Sequence, residues 1–70
     1  MELSIEEQKA QINEIRRQLA YLKQMIATSY LARDEKETMR ISVDYLKLNI
    51  KLAEVSLWIA KKQLENFQAP

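Results

Sequence analysis

A chain of 70 residues with no glycine, whose one proline is its last residue, has few ways to turn. The tight hairpins of β structure draw on just those residues. What remains is long helix, and the chain carries the pattern for two. Ser4 and Glu7 stand as a capping box, in which the Ser4 hydroxyl accepts from the Glu7 N–H and Glu7 can reach back. From there Ile5, Gln8, Ile12, Ile15, Leu19, Leu22, Ile26 and Ser29 follow alternating steps of three and four. That is a heptad seam, the mark of a helix that packs along another helix.

Phase separates one long helix from two. Carried forward, the first seam would place Arg33, Arg40, Lys47, Glu54 and Lys61 at core positions. All are charged, so the register breaks. A second capping box, Asp34 with Glu37, stands at the break, and Glu35 and Glu37 suit the positive first turn of a new helix. The sequence predicts a single domain, residues 1–70. Its first helix covers about 5–32, its reversal lies near 33–35, and its second helix covers about 35–67. Helix ends often use a glycine, and none is available here. The alternative is one continuous helix in a long coiled coil.

The second helix carries two apolar seams. Met39, Val43, Leu46, Ile50, Ala53, Leu57, Ala60, Leu64 and Phe67 form one. Tyr45, Leu48, Leu52, Val55 and Ile59 form another, well over 100° around the helix at ~100° per residue. One partner helix within the chain covers only one of them. Assigning the longer seam to the hairpin pairs Ile26 with Leu46, Leu22 with Ile50, Leu19 with Ala53, Ile15 with Leu57, Ile12 with Ala60, Gln8 with Leu64 and Ile5 with Phe67. The shorter seam is then left for association, with Trp58 beside it as an anchor. The expected partner interface is therefore Tyr45, Leu48, Leu52, Val55, Trp58 and Ile59. The expected fold is all-α, an antiparallel helical hairpin of two long helices dimerising into a four-helix bundle.

Size supports association. A lone domain this small buries little core and usually needs a staple or a partner. Without Cys there is no disulfide and no thiolate metal site, and without His the commonest metal ligand and general base are gone. The composition implies no cofactor and no metal.

Charge is nearly balanced, with Lys+Arg 11 against Asp+Glu 10, which selects neither nucleic acid nor a membrane surface. Within that balance Lys9, Arg16 and Lys23 repeat every seven residues, as do Arg40, Lys47, Glu54 and Lys61. In the pairing above the two rows share a flank. Lys9, Arg16, Lys23, Arg40, Lys47 and Lys61 would then form a basic stripe for an anion or an acidic partner, or else a solvated face neutralised by outer acids. The other flank is uncharged. The acids at Asp34, Glu35 and Glu37 lack the Gly and the alternating ligands of a calcium loop and read as helix caps. No phosphate loop, Glu-x-x-His pair or nucleophile–base set appears, so no catalytic residue is singled out. No run is long and apolar enough to span a membrane, and the acidic start lacks the hydrophobic run of a secretory signal. A cytoplasmic setting is expected.

The layout resembles several unrelated helical hairpins. One is the plasmid copy-number regulators, four-helix bundles that bind paired RNA loops. Another is the small type III secretion co-chaperones that hold a needle subunit. A third is the small aspartyl-phosphatases of spore formers, whose Ser-x-x-x-Asp is replaced here by Ser42-Val43-Asp44, so that activity does not carry over. These are likenesses of architecture, and architecture does not set function. The expected function is a non-enzymatic protein–protein interaction module, a regulator or adaptor working as a homodimer or with a helical partner. The alternatives are a chaperone-like cap for a partner's amphipathic helix and a nucleic-acid-binding bundle that uses the basic flank.

Overall fold

A computed structural model describes residues 4–68, so the ends of the expected unit, 1–3 and 69–70, lie outside the described residues. Two helices, α1 (Ile5–Leu31) and α2 (Glu35–Gln68), fold back on each other into a rod of 58 × 20 × 15 Å. Their ends are set by local chemistry. Ser4 caps α1 by accepting from the Glu7 N–H at 3.1 Å, and Asp34 Oδ1 accepts from the Glu37 N–H at 3.1 Å. Each cap satisfies a donor that a helix start leaves unpaired.

The reversal takes three residues, Ala32 to Asp34, and manages without glycine. Arg33 adopts φ 58, the left-handed region. The Arg33 N–H donates to the Tyr30 carbonyl at 3.0 Å, and the Asp34 N–H reaches back to the Ser29 carbonyl at 2.9 Å. This is the Schellman closure, with Arg33 where glycine usually sits. Just inside the turn, the Ser29 and Thr38 hydroxyls lie 2.7 Å apart and tie α1 to α2. Ser29 is buried, yet its oxygen also lies 3.0 Å from the Ile26 carbonyl, so its burial costs no unpaired polar group.

The α1 seam faces α2 as its periodicity predicts, with Ile15 and Leu19 buried at its centre. On α2 the expected assignment of the two seams is reversed. Val55 and Ile59 join Ile15 and Leu19 in one core cluster, and Tyr45, Leu48, Leu52 and Trp58 pack against it. Ile41, one step earlier on the same face, is the most buried large side chain, at 2% exposure. The longer seam points away from α1, with Leu46 62% and Ile50 60% exposed. Every pairing expected from Ile26–Leu46 to Ile5–Phe67 is therefore displaced.

The turn explains the reversal. Because the chain closes within three residues, positions equally distant from the Arg33–Asp34 centre come level, as Ser29 and Thr38 do. The same rule brings Ile26 level with Ile41, Leu22 with Tyr45 and Leu19 with Leu48. A longer loop would have been needed to bring Leu46 level with Ile26.

Candidate functional site

Among the described residues the fold leaves an apolar stripe open along α2. Met39, Val43, Leu46, Ile50, Leu57, Leu64 and Phe67 are all exposed, Phe67 at 88%. Ala53 and Ala60, also exposed, continue the same face. The stripe spans about 42 Å, taking 1.5 Å per residue from Met39 to Phe67. An unbroken apolar row of this length is beyond what isolated surface hydrophobes explain. At its N-terminal end a groove runs between Met39 and Val43, edged by Glu35, Lys36 and Arg40. A shallow cleft on the turn, lined by Tyr30, Leu31, Thr38 and Met39 among others, extends the apolar surface round the end of the rod.

The expected interface residues therefore stand elsewhere. Val55 and Ile59 are buried in the hairpin's own core, and Tyr45, Leu48, Leu52 and Trp58 pack against it, half-buried. Trp58 sits at the edge of that core, with the Lys62 ammonium 5.5 Å from the ring centroid, an arrangement that shields its face. The α2 seam expected to be open packs towards α1, and the seam expected to be covered is the exposed one. Ile41 belongs to neither of the two seams read from periodicity. It lies four residues before Tyr45, and extending that row backwards by one step would have found it.

The basic residues do not gather into one flank. Lys9 and Arg16 edge a cleft with Ser56 and Ile59, which places the uncharged Ser56 row of α2 beside them. Arg40 lies on the other side, along the exposed stripe, where it pairs with Glu37 and, at 3.7 Å, with Asp44. Lys47 and Lys61 follow Arg40 at heptad intervals and flank the same stripe. Lys23 keeps its place in the α1 row with Lys9 and Arg16. The two rows do not share a flank because the seam exchange rotates the α2 row away.

Two carboxylates are held below their ordinary range. Hydrogen bonding to Arg17 lowers the Glu14 carboxyl, and hydrogen bonding to Arg40 lowers that of Glu37. Both are exposed helix-surface pairs. Among the described residues no group of three or more potential metal ligands comes together, and no helix is long and apolar enough to cross a membrane. Comparison with family models, with curated proteins and with solved structures finds no match to this chain.

Proposed function

We propose that the protein is a small non-enzymatic interaction module, of the regulator or adaptor kind, whose working surface is the exposed α2 stripe from Met39 to Phe67. The observation that carries this reading is the stripe itself: α2 is apolar on two faces, and the hairpin covers one. The thin core argues the same way. Five hydrophobic side chains are buried among the described residues, Ile15, Leu19, Ile41, Val55 and Ile59. A domain of this size with so few gains stability from further burial.

The two α2 faces lie roughly 150° apart at 100° per residue. A helix or hairpin seated on the stripe therefore makes α2 a central element with α1 on its far side. Two copies joined this way form a four-helix assembly with both α2 helices inside. A chaperone-like role, with the stripe sheltering a partner's amphipathic helix, uses the same surface and differs only in the occupant. The nucleic-acid reading is less favoured, since Lys9 and Arg16 lie beside Ser56 whereas Arg40 lies along the stripe.

The test is the mass of the chain in solution, by light scattering, for the parent and for Ile50→Glu and Leu57→Glu. Both positions are exposed in the hairpin, so the variants keep their helicity by circular dichroism. Association through the stripe predicts a mass above that of one chain for the parent, and loss of that association in both variants. A parent that associates while both variants keep its mass would remove the stripe as the working surface.

A further inference from the structure

We infer that the occupant of the stripe is a second copy of this chain, with its α2 antiparallel to the first and the two-fold axis crossing beside Lys51 and Leu52. This rests on the stripe being the working surface and adds the partner and the register.

Packing selects the direction. In a parallel, in-register pair each stripe residue meets its own counterpart, so Ala53 meets Ala53 and Ala60 meets Ala60, leaving two gaps in the seam. Antiparallel pairing sets each small residue against a large one. Ile50 meets the partner's Ala53, Val43 meets the partner's Ala60, Leu46 meets the partner's Leu57, and Met39 meets the partner's Leu64. Two-fold symmetry repeats each layer. The groove between Met39 and Val43 then faces the C-terminal end of the partner's stripe. Such alternation of large and small is what interdigitating helices require.

Charge and length select the register. The axis falls at the midpoint of α2 (Glu35–Gln68), so the two helices overlap along their full length. It also brings Lys47 beside the partner's Glu54, twice by symmetry. Arg40 comes near the partner's Lys61, but Arg40 already carries Glu37 and Asp44 with it. A slip of one heptad in one direction sets Glu54 against the partner's Glu54 and Lys47 against the partner's Lys61. A slip in the other direction sets Lys47 against the partner's Lys47 and offers the partner's Glu54 only Arg40, which already carries Glu37 and Asp44; either slip shortens the overlap. Ser42, Asn49, Ser56 and Gln63 line the opposite edge of the stripe and are indifferent to all three.

Two experiments on the whole chain test this, and the lack of any native cysteine makes the first clean. Arg40→Cys and Lys61→Cys chains are treated with a short bismaleimide, separately and mixed. The antiparallel pair predicts a cross-linked dimer in the mixture and none in either variant alone. Cross-linking within one variant alone means a parallel pair and overturns the direction. The second experiment exchanges charges. Lys47→Glu and Glu54→Lys should each weaken dimerisation about tenfold, as two facing pairs turn repulsive. The double exchange should restore it. A double variant no tighter than the singles overturns the register. A parent that stays monomeric at millimolar concentration, which reports on even weak affinity, overturns the second copy as occupant and leaves the stripe to a different partner. Self-association that survives Ile50→Glu instead overturns the stripe, and the two failures are thereby told apart.

Discussion

Arg33 does the work of a glycine in the reversal, and the residue scale is where that shows most plainly. A left-handed backbone brings the Cβ of an L-residue close to its neighbouring carbonyl, at a cost of roughly 1–2 kcal/mol. At φ 58 Arg33 bears that cost for the sake of a three-residue turn. Arg33→Gly should therefore stabilise the hairpin by about 1 kcal/mol, less the extra freedom glycine gains when unfolded. Thermal unfolding followed by circular dichroism should show a rise of a few degrees. A fall would mean that the Arg33 side chain supplies more than the turn geometry shows. The caps at Ser4 and Asp34 are the converse case. Both were legible from spacing alone, because a capping box is a local contract between residues three apart.

At the scale of the element, α1 has one apolar face and α2 has two. Periodicity identifies such faces but does not rank them. The two α2 rows differ little in hydrophobicity, and the longer one carries more residues. What decides between them is the length of the connection. With the chain closed inside Ala32–Asp34, the face of α2 that carries Thr38 and Ile41 must turn towards α1. Ile41 anchors that face, and its near-complete burial gives it a large share in holding the helices together. Ile41→Ala should cost about 2–5 kcal/mol of stability by chemical denaturation. Ile50→Ala, at 60% exposure in the hairpin, should leave the single chain's helicity intact and act through association alone. Equal losses of stability at the two sites, measured at a dilution where no association remains, would contradict the seam assignment.

For the whole molecule, the charge chemistry points to a rod indifferent to pH near neutrality. The chain has no His, so no side chain of ordinary pKa changes charge between about pH 5 and 8. Glu14 and Glu37 have folded-state pKa values below their unfolded ones, through Arg17 and Arg40. Their contribution is present above the unfolded value, about 4.5 for a free Glu, and is lost as pH falls through the lowered one. Both pairs are solvent-exposed, so the effect is small. Melting curves should superimpose from about pH 5.5 to 8 and weaken only on the acid side of about 4.5. A transition centred near neutrality would require a titrating group that this rod does not place at any contact.

The sequence by itself determined that the chain is helical, that it breaks at Asp34, and that α2 has more apolar surface than one partner within the chain can cover. These are local or periodic properties, readable from residues three, four and seven apart. The tertiary structure alone decided which α2 face is used inside and which is left outside. It moved the open surface from Tyr45, Leu48, Leu52, Val55, Trp58 and Ile59 to the Met39–Phe67 row, and it parted the basic residues of α1 from those of α2. The physical reason is one closure. The left-handed Arg33 and the Asp34-to-Ser29 hydrogen bond set how tightly the chain reverses. That tightness sets the register, and in a helix register decides which face meets the partner.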